Sequence, residues 1–319
     1  MLGFDELKGN VKKTDDLVEC PVKNCEAKVK RQRKVFKREE KFRCPDHNIY
    51  ISPTTFEYHK EVDNILWKEA ADLLLLERIN SVKRESRIAR DNSEDAVSWN
   101  VFRYLERHNL ISKFLSHMFN TPMVSREVIY WSYSRKEDSS WSELNKARNE
   151  FGEDIHRSSE PDIIIKTNNA LFFIETKLTA TNKTKPRQEY NYKKYLIGGG
   201  NWFSKVFKSS YKLIAKTEMK YELMRFWLLG TWMAAKMGLN FFLVNLVLSE
   251  REKEIESIFR THIKETPRMN FIRITWEDIY HQILTNSPQK DRSTMINYFE
   301  KKTIGYDENG ELQKAFSTI

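Results

Sequence analysis

SEPDIIIKTNNALFFIETKL, residues 159–178, decides how this chain is read. Two apolar runs flank Asn168 and Asn169, a pair whose tolerance of positive φ suits a two-residue hairpin turn. With that turn the ladder pairs Thr167 with Ala170 and, five steps out, Asp162 with Glu175. Alternation along the strand then sets Lys177 on the face of Glu175 and Thr176 on the other. Two opposed carboxylates among Ile163, Ile164, Ile165, Phe172, Phe173 and Ile174 are costly unless a cation relieves them. A hard divalent ion would do so; an edge hairpin whose acids pair with the lysine is the plainer alternative.

Both flanks carry helix signals. Upstream, ARDNSEDAVSWNVFRYLERHN (89–109) predicts a helix capped by Asn92 or Ser93, with Val97, Val101, Tyr104 and Leu105 on one stripe. Glu94 falls in its first turn, three residues before Val97 and on the same stripe; as a bare first-turn acid it would only complement the helix dipole. Downstream, KPRQEYNYKKYL (185–196) predicts a helix from Pro186, with Gln188 and Tyr192 one turn apart on a face shared with Tyr195.

Pro161-Asp162, twelve residues, then Glu175-Thr176-Lys177 resembles the signature of the PD-(D/E)XK nuclease superfamily, and Gln188 with Tyr192 is similar to the QxxxY motif of one of its branches. The resemblance covers roughly residues 92–250 and implies an α/β fold, a restriction-endonuclease-like αβββαβ core with a mixed sheet. It implies that Glu94, Asp162, Glu175 and the backbone carbonyl of Thr176 hold Mg2+ or Mn2+, which favour carboxylate and water oxygens. Lys177 would orient or deprotonate the attacking water, or steady the phosphate; a buried lysine leaves each open. Gln188, Tyr192, Arg187 and Lys193 would hold the substrate strand. The activity implied is a Mg-dependent deoxyribonuclease, an endonuclease, in a defence, mobile-element or repair setting. The competing reading is a non-catalytic nucleic-acid-binding or assembly protein built on the same scaffold.

Charge names the partner. The chain carries a formal net charge of +9, and residues 183–216 hold nine Lys or Arg against one acid, Glu189. Tyr190, Tyr192, Tyr195, Trp202, Phe203, Phe207 and Tyr211 are interleaved with them, the mixture that polyanion tracks use. About half of these rings are expected to pack inward. Gly198-Gly199-Gly200 would either let backbone approach phosphate or form a loop. DNA is the expected partner, with RNA an open alternative.

The N-terminus carries a second motif. Cys20-Pro-Val-Lys-Asn-Cys25 and Cys44-Pro-Asp-His47 stand eighteen residues apart and use every cysteine in the chain, the spacing of a structural Cys3His zinc site. The intervening EAKVKRQRKVFKREEKFR alternates like the two strands of a zinc ribbon; nine basic residues against three acids suit nucleic acid or a docked protein about equally. Free thiols and the lack of a signal peptide predict a reducing compartment, cytoplasmic or nucleoid-associated.

Expected organisation is a zinc-ribbon-like domain over 1–59, a linking helix over 60–91 and a nuclease domain with a C-terminal extension over 92–319. Further elements expected are a strand over 126–134, a polar loop over 135–159, a helix over 211–237, a strand over 241–249, a charged helix over 250–264, a strand over 270–274 and a closing helix from Trp276. No apolar run is long enough to span a membrane. A homodimer would let a single site per chain cut both strands of a duplex.

Overall fold

A computed structural model describes residues 1–33, 36–155, 159–186 and 192–317. The N-terminal part holds β1 (Leu17–Glu19), β2 (Lys28–Lys30), β3 (Ile49–Ile51), β4 (Phe56–Tyr58), α1 (Ala70–Val82) and α2 (Glu94–Arg107). Next come α3 (Ile111–Met118), β5 (Ser125–Tyr130), β6 (Tyr133–Ser134), β7 (Ser139–Ser140), α4 (Ser142–Glu150), β8 (Ile163–Thr167) and β9 (Ala170–Thr176). Then follow α5 (Lys193–Val206), α6 (Tyr221–Met237), β10 (Asn240–Val247), α7 (Ile255–Arg260) and β11 (Met269–Thr275). The chain closes with α8 (Trp276–Asn286), α9 (Arg292–Lys301), β12 (Thr303–Tyr306) and β13 (Leu312–Lys314).

These elements form two compact units: Met1–Leu73, Ser86–His108 and Trp276–Ile319 in the first, Leu74–Glu85 and Asn109–Thr275 in the second. The boundaries expected from sequence at 59 and 91 are not those of the units. The reason lies in the C-terminal hairpin β12–β13, which returns to the N-terminal core. Tyr306 is buried there with Leu7, Val18, Val22 and Phe56, and its hydroxyl donates to the Lys8 carbonyl at 3.0 Å. Backbone N–H groups of Leu312 and Val11 bond to the Gly9 and Gly310 carbonyls at 2.9 Å each. The expected linking helix is also shorter: only Ala70–Val82 is α-helical, and Glu61–Asn64 is a 3-10 turn.

The stretch between the cysteine pairs differs from the expected ribbon as well. Among its described residues it holds one strand, β2, which pairs back with β1 across the first pair, while β3 follows the second pair and pairs with β4.

The second unit is built on a seven-stranded mixed sheet of order β11-β10-β9-β8-β5-β6-β7. β5 pairs antiparallel with β8 and β8 antiparallel with β9, whereas β9, β10 and β11 pair parallel. β9 is buried along its whole length, as a central strand apolar on both faces should be. The β8–β9 register pairs Ile163 with Ile174 and Lys166 with Leu171, the register expected. Its turn has a different origin, since neither Asn168 nor Asn169 takes positive φ. Thr167 Oγ1 instead accepts the N–H groups of Asn169 and Ala170 at 3.3 and 2.9 Å.

Four local expectations are corrected here. Residues 126–134 make a hairpin rather than one strand, turning at Trp131-Ser132 between the paired Tyr130 and Tyr133. The polar segment 135–159 contains α4, which buries Leu144 and Ala147. The strands near 241 and 270 appear as β10 and β11 and the helix at Trp276 as α8, while the charged helix shrinks to α7. The helix expected over 211–237 is interrupted: α6 begins at Tyr221 after a π-helical turn at Leu213–Thr217.

A buried ion pair ties α6 to the segment after α4. Arg225 Nε donates to Glu153 Oε1 at 2.6 Å, and the two side chains are 2% and 1% exposed. Burial pushes the Glu153 carboxyl up, but the Arg225 guanidinium outweighs it and holds that carboxyl below its usual range. Arg225→Met is expected to cost about 3–5 kcal/mol, because it leaves Glu153 buried without its counter-charge. A depressed carboxyl contributes stability above its unfolded pKa and loses it as pH falls through the folded value. Denaturant midpoints of wild type and Arg225→Met should therefore converge in acid.

Candidate functional site

The end of the β8–β9 hairpin gathers Asp162, Glu175 and Lys177. Ladder pairing stops at Ile163–Ile174, one residue short of the acids, so Asp162 is fixed by donors from Thr176 and Trp131 instead. Its Oδ2 accepts the N–H and the hydroxyl of Thr176, both at 2.8 Å. Its Oδ1 accepts the Trp131 indole N–H at 3.3 Å, and its carbonyl oxygen accepts the Trp131 backbone N–H at 3.0 Å.

Glu175 is 4% exposed. Its Oε1 accepts Lys177 Nζ, while its Oε2 is buried with no hydrogen-bond partner. Burial pushes this carboxyl well above the usual range; Lys177 opposes the shift, and Asp162 and Glu222 add to it. An oxygen left bare in such a place is expensive, and a cation there would relieve it. Lys177 is itself 8% exposed and its backbone N–H bonds to the Leu246 carbonyl at 2.8 Å, so β10 holds the strand end that carries it.

Two features of this site were missed in the sequence. Glu222 lies in the first turn of α6, its N–H held by Thr184 Oγ1 at 2.9 Å; reading one helix across 211–237 placed it in mid-helix, and the signal would have been the break before Tyr221. Asn245, fully buried in β10 beside Glu175, exchanges amide bonds with Asn182, and Asn182 Nδ2 also donates to Glu252 Oε2 at 2.7 Å. An asparagine inside the apolar run FFLVNLVL was the visible sign.

Glu94 is the first residue of α2 in the first unit, and the cap is Ser93, whose side chain accepts the Ala96 N–H at 3.2 Å. The other three site residues belong to the second unit. Gln188 and Arg187 lie outside the described residues, as do Tyr190, Glu189 and His156. Tyr192 and Lys193 stand exposed at the start of α5. Tyr192 stacks on Tyr211 at 5.4 Å between centroids, and Tyr211 on Tyr195 at 6.0 Å. Tyr195, Phe203, Phe207 and Tyr211 pack inward, while Lys205, Lys208 and Lys212 are exposed.

The glycine triplet serves packing. Gly199, Gly200 and Asn201 take φ near 60–69° and break α5. A Cβ on Gly199 would stand 2.8 Å from both Phe151 and Trp232. Gly199→Ala is therefore expected to destabilise the fold by roughly 1–3 kcal/mol, read as a lower denaturant midpoint.

In the first unit Cys20, Cys25, Cys44 and His47 come together, their ligand atoms all within 4.8 Å of one another; among the described residues no other group of three or more does so. His47 Nδ1 lies 3.8 and 3.6 Å from the Cys20 and Cys44 sulfurs, and the Cys25 and Cys44 sulfurs are 3.8 Å apart. Each pair sits on a turn that includes a left-handed asparagine, Asn24 or Asn48. Three sulfurs and an imidazole nitrogen at these separations suit a metal such as zinc. No helix among the described residues is long and apolar enough to cross a membrane. No known protein family, curated protein or solved structure matches this chain.

Proposed function

We propose that the chain is a Mg2+- or Mn2+-dependent nuclease of the PD-(D/E)XK kind that hydrolyses phosphodiester bonds in DNA. The observation that carries this reading is the bare, buried Oε2 of Glu175, at a strand end where the carboxyl feels the charges of both Lys177 and Asp162. In the second unit the order α3, β5, β8, β9, α6, β10 supports a restriction-endonuclease-like core, with β6, β7, α4 and α5 as additions.

Bound there, the cation would polarise the scissile phosphate and lower the pKa of a water. Asp162 and Glu175 present the oxygens that would hold it, and Thr176 and Trp131 keep the Asp162 carboxylate oriented. Lys177, beside Glu175, places a positive charge where the phosphate oxygens become more negative. The exposed Lys193, Lys205, Lys208 and Lys212 offer phosphate contacts, and Tyr192 a ring on which a base can stack. The Cys3His cluster would stiffen the first unit as a structural zinc site and offer a surface to nucleic acid or to a protein.

The deciding experiment incubates purified protein with circular, linear and single-stranded DNA, and with RNA, in Mg2+ or Mn2+. Metal-dependent cutting that EDTA stops is expected, and the preferred substrate names the biology. Binding to DNA with no cutting under any metal would replace this reading with that of a non-catalytic binding protein.

A further inference from the structure

The hairpin turn at Trp131-Ser132 has φ of 44° and 73°. Two successive positive values belong to the turn geometry that Asn-Gly usually provides, and a bulky aromatic residue in this region is an outlier. Trp131 and Ser132 nevertheless adopt it while 1% and 0% exposed. A strained conformation persists when its surroundings over-determine it, so what the turn holds is informative.

It holds the entry to β8. Trp131 gives Asp162 both its backbone N–H, to the carbonyl oxygen at 3.0 Å, and its indole N–H, to Oδ1 at 3.3 Å. Ser132 Oγ donates to Glu160 Oε2 at 3.2 Å and accepts from Arg148 Nη2 at 3.2 Å. Lys83 Nζ covers the indole at 3.9 Å from a ring centroid. The Thr176 N–H and hydroxyl hold the second Asp162 oxygen from β9. Neither carboxylate oxygen can then rotate without losing a donor.

We infer that Trp131 is a positioning residue, which fixes the Asp162 carboxylate so that its remaining lone pairs point at a divalent cation. This rests on Asp162 being a metal ligand. A Phe or Asn-Gly turn would close the same hairpin but leave Oδ1 without its indole donor. Partners that orient a ligating carboxylate are worth about 10–100-fold in metal affinity.

The test is Mn2+ binding by calorimetry to the full-length wild type, Trp131→Phe and Asp162→Ala, each shown to be folded, alongside the Mn2+ dependence of DNA cleavage. Trp131→Phe should bind Mn2+ about 10–100-fold more weakly and need correspondingly more Mn2+ for half-maximal cutting. Its cleavage rate should recover at saturating Mn2+, which a catalytic loss would not. Should Trp131→Phe misfold, benzothienylalanine at 131 keeps the bicyclic shape and replaces the N–H with sulfur, and the same shift is expected. Unchanged Mn2+ affinity in a folded variant overturns the positioning role even if wild type cuts DNA. Wild-type binding that Asp162→Ala leaves intact overturns the ligand assignment and the positioning role together. Asp162-dependent binding without cutting, weakened by the Trp131 change, overturns the nuclease reading alone.

Discussion

Asp162→Ala and Lys177→Met are expected to lower metal-dependent DNA cleavage by about a thousandfold or more each, the scale of losing a metal ligand or a preorganised charge at the reacting phosphate. The two substitutions fail for different reasons, and the structure says how to tell them apart from simple unfolding. Asp162 is the acceptor for the Thr176 N–H, the Thr176 hydroxyl and the Trp131 indole. Removing the carboxylate strands these donors, at about 1–3 kcal/mol for each one left buried and unsatisfied, so some loss of stability is expected with alanine. Asp162→Asn keeps one of the two acceptor oxygens and turns an NH2 toward the other donor, so it should lose less stability than alanine while losing the charge that holds the cation. Lys177→Met keeps the length of the side chain but takes the counter-charge from Glu175, which is already bare at Oε2. Its cleavage should not recover at high metal concentration, unlike a defect in metal affinity. Circular dichroism and melting curves establish that each variant is folded; rates over a Mn2+ series then separate ligand loss from charge loss. Folded Asp162→Asn and Lys177→Met proteins that cut as fast as wild type would end the assignment of both.

What could be read from the sequence was local. The Cys3His cluster is set by two short turns, so spacing alone was enough to find it. The β8–β9 register follows from a short loop, and it came out right although the stated reason did not: Thr167 holds the turn, and positive φ is found at Trp131 and Ser132, where the residue types give no hint of it. Features that need partners distant in sequence were not legible. Tyr306 returning to the core of Leu7 and Val18 is such a case, and it decides how the units divide. Glu222 was lost because a continuous apolar pattern hides a helix break. α4 was lost because charged neighbours mask Leu144 and Ala147, which sit on one helical face. Within the candidate site, the carboxylates and lysine were visible as a motif, whereas Trp131, which holds the Asp162 carboxylate, and the Asn245–Asn182 pair beside Glu175 show themselves only when β5 and β10 are placed beside β8 and β9.

Stripping the metal from the first unit is expected to unfold its N-terminal core. Strands β1, β2, β3 and β4 are three residues each, and an isolated pair of that length is not stable in water. Their core includes Cys20, Cys25 and Cys44 among its buried members, so the ligands and the hydrophobic contacts are the same side chains. Structural zinc sites in small domains contribute apparent binding energies of about 10–16 kcal/mol near neutral pH, more than such a core can replace. One zinc per chain should be found by metal analysis of the purified protein, and Cys25→Ser or Cys44→Ser should reduce it. Chelation should then speed tryptic cleavage at the lysines and arginines of β2 and of residues 36–43. Because Tyr306 and the turn at Gly310 are seated on the same core, the β12–β13 hairpin should become cleavable in the same step. That coupled loss is the sharper part of the prediction: a core held by hydrophobic contact alone would keep both segments protected. A metal-free protein that resists trypsin at β2, at 36–43 and at β12–β13 as well as the zinc-loaded form would show that the cluster does not hold this unit together.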